Sequence, residues 1–210
     1  MDVADLWTRY PLVYHMATVD SWPSIRRLGL LSTTALLDLF EVTAERRNAI
    51  ESRKRPQSVL IAHPQHGSVT IRDQKPLHDS MLARCLRGRV SVEDWHRLLN
   101  GRVFFWVDEK RLNDLRSARA YREQRQTVIF ADTRRLVGRY ASRIRLAHIN
   151  TGATRSVVHF RDLETFQTIE QYDTRKVVEL TIDRSVPDLA EFVVRVEEVG
   201  GPEASRILWP

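Results

Sequence analysis

Between Leu12 and Ser32 the chain passes from strand to turn to helix to glycine stop, which narrows what it can fold into. Leu12, Val13, Tyr14 and Met16 suit a strand, with His15 on the face opposite Tyr14 and Met16. A tight turn follows, in which Asp20 or Ser21 is placed to accept from free backbone N–H groups as a helix N-cap. Pro23 sits where a missing N–H costs nothing, and Gly29 fits the left-handed position past the last helical turn. The outcome is a strand–helix unit with a histidine at its mouth, where an imidazole can hydrogen-bond a ligand hydroxyl.

From about Ser32 to Leu99 the sequence reads as helical. Ser32 or Thr33 caps the run from Ala35 to Phe40, and Thr43 caps Ala44 to Ser52. Ser91 to Asp94 form a capping signal ahead of Trp95, Leu98 and Leu99, with Asn100-Gly101 as the stop. His63-Pro64-Gln65-His66-Gly67 is a turn-rich break between two short apolar runs. From Arg102 onward short strands take over: 103–107 (expected to be buried on both faces), 127–130, 144–149, 177–182 and 192–196, with Asp108 and Asp132 capping helices between them. Helices gathered before strands predict an α+β domain, a helical N-terminal half packed on a small mixed or antiparallel sheet. One domain is read over residues 1–199, and residues 200–210, with two glycines and two prolines, as a loosely held tail.

Composition excludes more than it selects. No apolar run approaches the roughly 20 residues that span a bilayer, so no membrane partner is expected. The opening Met-Asp-Val-Ala-Asp is acidic where a secretion signal would be basic, and a cytoplasmic protein is the expectation. The single Cys85 rules out an internal disulfide framework and is read as buried and inert. His63, His66, His78, His96 and His148 lack metal-ligand spacing, so no metal is expected. There is no Gly-x-Gly-x-x-Gly and no Walker loop, which argues against a Rossmann oxidoreductase or a P-loop NTPase. Of 33 basic residues only Lys54, Lys75, Lys110 and Lys176 are lysines, with a net charge of +6. Guanidinium groups suit phosphate and base recognition, while an arginine bias equally reflects the base composition of a coding genome.

Three further segments carry polar groups in informative places. Glu179 lies inside an apolar strand, Val178-Glu179-Leu180-Thr181-Ile182, before a Val186-Pro187 turn and a last strand from Phe192. Such a glutamate either alternates outward to solvent or works as a buried carboxylate. Ile50-Glu51-Ser52-Arg53-Lys54-Arg55 places arginines at a helix end, as a solvated basic terminus or as an anion grip. Phe104, Phe105 and Trp106 are core aromatics or a stacking wall. Asn150-Thr151-Gly152 is a turn able to present polar groups to a ligand.

Taken together, the opening unit, the arginine segment and the closing strand–turn–strand resemble the ADP-ribosyltransferase-like fold, in particular the DNA-targeting toxins of the DarT type. Those open with Tyr-His-x-Thr, Asn-Leu-x-Ser-Ile and Gly-Leu-x-Ser, continue with Ile-x-x-Arg-Arg, and close with Ala-Glu-Phe-Leu-Val and a valine–proline turn. The resemblance covers about a third of the chain. It implies an NAD-dependent ADP-ribosyltransferase that releases nicotinamide, with NAD as a substrate. By the same match Glu179 stands at the catalytic glutamate and Arg53 at the catalytic arginine, with Arg55 the fallback because Lys54 intrudes; Arg53 or Arg55 would handle phosphate or position the acceptor. His15 and Thr18 would meet the nucleotide, Gly29 and Ser32 would border it, and Phe105 or Trp106 would flank the nicotinamide. The acceptor implied is nucleic acid, DNA favoured over RNA. A toxin role would add an antitoxin protein as partner. The chain departs from the pattern in having Phe105 for the mid-strand tyrosine, in the displacement of threonine to Thr18, and in the middle, where the loop gripping single-stranded DNA is not recognisable. Two other readings stay open: a catalytically inactive nucleotide- or nucleic-acid-binding module of the same fold, and an RNA 2′-phosphotransferase-like enzyme.

Overall fold

In the computed structural model, which describes residues 1–154, 158–173, 175–201 and 204–209, helices flank an antiparallel sheet in an α+β arrangement. A short helix α1 (Val3–Arg9) precedes strand β1 (Leu12–Thr18), and α2 (Trp22–Leu28) leads through Gly29 into the two-residue strand β2 (Leu30–Leu31). The Asp20/Ser21 cap does not form. Ser21 spends its hydroxyl on Thr18 Oγ1 at 2.7 Å, and Asp20 turns into the left-handed region with its N–H on Glu198. Helices α3 (Thr33–Leu39) and α4 (Ala44–Glu51) follow, the first capped by Ser32.

The expected helical stretch is then broken by a hairpin, β3 (Val59–His63) and β4 (Gly67–Ile71), joined at the His63–Gly67 turn. Five-residue apolar runs do not distinguish strand from helix by periodicity, and pairing decided the matter. Helices α5 (Asp79–Cys85) and α6 (Val92–Asn100) come next. The second opens on a capping box in which Ser91 and Asp94 satisfy each other's backbone N–H groups. The remainder is β5 (Arg102–Trp106), α7 (Glu109–Arg116), β6 (Gln126–Asp132), α8 (Thr133–Tyr140), β7 (Ile144–Ala147), β8 (Glu179–Asp183), the short β9 (Ser185–Val186), β10 (Val193–Val199) and β11 (Arg206–Trp209). Asp108 and Asp132 cap α7 and α8 as expected.

Among the described residues seven strands form one sheet in the order β11-β10-β6-β1-β5-β8-β7, every pair antiparallel. The sheet is therefore larger than expected, and the first strand of the chain lies at its centre rather than in a helical half. One face packs on α1 and α8 through Leu6, Val13, Ile129, Leu136, Leu180 and Ile182. On the other face α7 covers Tyr14, Met16 and Phe130, while α5 and α6 cover Ala147 and Phe166. The residues read as a loose tail supply β11 instead: Trp209 pairs with Val196, meets the Trp22 ring edge-on and lies under Arg26. Its indole covers apolar surface that Trp22 would otherwise leave wet.

One local geometry positions everything that follows. Between β1 and β6 all seven residues pair, from Leu12↔Asp132 to Thr18↔Gln126. Between β1 and β5, among the described residues, only Tyr14↔Trp106 pairs. Beyond that point the two central strands part and the sheet splits. Backbone carbonyls bared in the gap still need donors. His15 Nδ1 supplies one to Phe104 O at 2.8 Å, and Arg72 Nη1 supplies one to Met16 O at 3.1 Å. Phe104 and Trp106 are accordingly only half-buried, not enclosed on both sides as their apolar run suggested.

Candidate active site

The split opens into a cleft of about 630 Å³. Its walls bring together His15, Thr18, Gly29, Ser32, Arg55, Phe105, Trp106 and Glu179, which the sequence had singled out from widely separated segments. Arg53 is not among them. Helix α4 ends at Glu51, and the chain leaves it with Arg53 exposed and outside the cleft, whereas Arg55, two residues on, turns inward.

His15 is neutral and oriented. A carbonyl only accepts, so Nδ1 carries the proton that goes to Phe104 O, and Nε2 is left as an acceptor. Burial pushes its pKa down to about 4, with the Arg72 charge adding to that and the Phe104 bond opposing it. Its ring meets Phe105 edge-on. Phe105 itself is 1% exposed, so of the two aromatics that the resemblance sets beside the nicotinamide Trp106 has the more accessible face.

Glu179 lies across from both neighbours' backbones, paired with Trp106 on β5 and Ala147 on β7. It is buried, which excludes the reading of an outward, solvated strand residue. Thr151, in the Asn150-Thr151-Gly152 turn, holds it: the hydroxyl donates to Oε2 at 2.6 Å and the amide to the same oxygen at 3.2 Å. Burial raises its pKa to about 7; the Thr151 bonds and the charges of Arg161 and Arg111 pull the other way. A carboxyl group half ionised near neutrality is suited to taking a proton.

The remaining residues frame the cleft. Gly29, with φ of 79°, presses on Val186-Pro187: an added Cβ would lie 2.4 Å from Pro187 Cα. With β2 paired to β9, this locks the opening motif to the closing one. Ser32 Oγ is committed to capping α3 at Ala35 N, and Thr18 Oγ1 to Ser21. Arg55 is a brace, donating to Ile50 O, Asn100 Oδ1 and Arg72 O. Burial lowers its pKa to about 10, which leaves it charged at neutral pH.

Two cleft arginines went unread in the sequence. Arg72 follows β4, its guanidinium stacked on the Tyr121 ring at 4.6 Å, and Arg111 faces in from α7. Each retains a buried guanidinium nitrogen, Nη2 and Nε respectively, with no hydrogen-bond partner among the described residues. Burial lowers the Arg72 pKa. Arg72 acts electrostatically on His15, and Arg111 on Glu179. No motif marks either residue; only the fold carries them to the split.

A family model matches residues 11–193, from the residue before β1 to the first residue of β10, and is described as a family of unknown function, DUF7002. The chain belongs to the DUF7002 family. The matched span contains the split, His15, Arg72, Arg111, Thr151 and Glu179. No curated protein and no solved structure matches this DUF7002 chain. Among the described residues, no helix is long and apolar enough to cross a membrane, and no group of three or more His, Cys, Asp or Glu is arranged to hold a metal ion.

Proposed function

We propose that this DUF7002 protein is an ADP-ribosyltransferase of the DarT-like kind, using NAD as substrate and nucleic acid as acceptor, with DNA favoured over RNA. The observation that carries the reading is that a neutral His15 and a buried Glu179 face one cleft in a split antiparallel sheet. His15 Nε2 accepts from a ribose hydroxyl. Arg72 and Arg111, between those two ends, face the diphosphate, taking the part that sequence reading had given to Arg53. Trp106 flanks the nicotinamide beside Glu179.

In this reaction the bond between C1 of the ribose and the nicotinamide nitrogen of NAD breaks, and nicotinamide leaves with the electron pair. Positive charge develops on the ribose, and a carboxylate stabilises it more in the transition state than in the ground state. The acceptor atom bonds to C1 and loses a proton to Glu179. The ring of Phe105 cannot supply the phenolic hydroxyl that DarT-type chains have at that strand position, so orientation of the amide falls to other groups.

The test is nicotinamide release from NAD by the purified protein, with and without single-stranded DNA or RNA, beside Glu179→Ala. Release that requires Glu179 and rises with one nucleic acid supports the transferase and names its acceptor. NAD that raises the melting temperature without any release would favour the inactive binding module instead.

A further inference from the structure

Arg161 is 2% exposed, yet the hydrogen bonds of its guanidinium go to backbone carbonyls: Nη1 to His159 at 2.7 Å, Nη2 to Ala153 at 2.6 Å and to Asn150 at 3.2 Å. Carbonyls, with the Cys85 side chain also beside the guanidinium, are a weak reason to bury a full charge, because desolvation of a guanidinium is costly without a compensating anion. The carboxylate within reach of its charge is Glu179. Its backbone is fixed as well, donating to Cys85 O at the end of α5 and accepting from Arg87 N. Asn150 and Ala153 bracket Thr151, whose amide and hydroxyl both point at Glu179.

We propose that Arg161 is the positioning residue for Glu179: anchored to the end of α5, its guanidinium gathers Asn150 and Ala153 and so fixes Thr151 against the carboxylate. This rests on the reading of Glu179 as the reacting group, and extends it to a residue that never meets substrate. A second consequence is electrostatic. The groups facing Glu179 are Thr151 from the turn, Arg161 behind it and Arg111 from α7, while its strand neighbours Trp106 and Ala147 are uncharged. Arg161 is thus one of two cations that keep a buried carboxyl group able to ionise near neutral pH.

The experiment is a carboxyl-carbon NMR titration of glutamate-labelled protein, with Glu179 assigned by its absence in Glu179→Gln, combined with amide hydrogen exchange at Thr151. In Arg161→Met the Glu179 midpoint moves up by about one pH unit or more, because an opposite charge is removed from a buried site. In Arg161→Lys the charge stays but the fork is lost. The midpoint then remains close to wild type while Thr151 exchanges roughly tenfold faster. An unmoved midpoint in Arg161→Met, or unmoved Thr151 exchange in Arg161→Lys, overturns the proposal. Should Arg161→Met not fold, the exchange rate in Arg161→Lys decides by itself. Neither readout uses turnover, so a lack of nicotinamide release would count against the transferase reading alone.

Discussion

Burial favours the neutral form of both His15 and Glu179, but it shifts their titrations in opposite senses. The His15 pKa falls from 6.5 to about 4 on folding, so the unfolded chain takes up its proton first as pH drops. Stability linked to His15 is full above pH 6.5 and is lost as pH falls to 4, worth about 3 kcal/mol. Glu179 rises from 4.5 to about 7, so its contribution is full below pH 4.5 and is lost as pH rises through 7. Between pH 4.5 and 6.5 the two slopes largely cancel in the wild type, so in denaturant titrations His15→Gln should unmask a stability that falls with pH through 7, and Glu179→Gln one that rises with pH up to 6.5. A profile unchanged in both variants would contradict the assigned environments. For the proposed transferase the sign is separate: a base must be ionised, so kcat/KM for nicotinamide release should climb with pH through about 7. Glu179→Gln should lower kcat by about two to four orders of magnitude, with KM for NAD little changed.

At the scale of elements, the short β2–β9 pair matters more than its length suggests. It holds Gly29 against Pro187, where no side chain fits and where φ is positive. Gly29→Ala should cost about 2–3 kcal/mol in denaturant melts, since both crowding and backbone conformation oppose the methyl group. An equally stable Gly29→Ala would show that the two motifs do not press on each other. Strand β11 gives a second case. Trp209→Ala removes the edge-on contact with Trp22 and the Arg26 stack, and should cost about 1–2 kcal/mol while leaving the cleft residues in place. Several helix starts were legible from sequence because capping is local: Ser91 with Asp94, Asp108 and Asp132 all act within three residues of themselves, whereas the hydroxyls read as caps at Ser21 and Thr43 make no cap bond. The hairpin β3–β4 was not, because its strands are short enough for their apolar runs to suit either period.

For the whole molecule, the split between β1 and β5 is the feature on which the site depends. An unbroken sheet would use Met16 O and Phe104 O in its ladder; here two side chains answer them, and the parting of the strands leaves room for a ligand. Arg72→Met should therefore do two things together. It leaves a carbonyl unsatisfied, and it should raise KM for NAD tenfold or more, roughly the worth of a charge-assisted hydrogen bond. Unchanged KM in a folded variant would place the diphosphate elsewhere. Arg53→Ala, by contrast, alters an exposed residue away from the cleft and should leave KM near wild type.

The sequence by itself determined what depends on near neighbours: the strand with His15, the α2 helix with its glycine stop, the capped helices, and the apolar strand that carries Glu179. Of the site residues it nominated, all but Arg53 line the cleft, partly because histidine, glutamate and aromatics inside strands are conspicuous and partly through the family resemblance. Tertiary structure decided the rest. Whether Glu179 faced solvent or interior depended on which strands flank it, and those come from residues 102–106 and 144–147. Which arginine entered the cleft depended on how the chain turned after α4, a matter of two residues. Arg72, Arg111 and Arg161 sit in segments with no distinguishing pattern. They matter only because distant parts of the chain meet, and long-range pairing leaves no local trace.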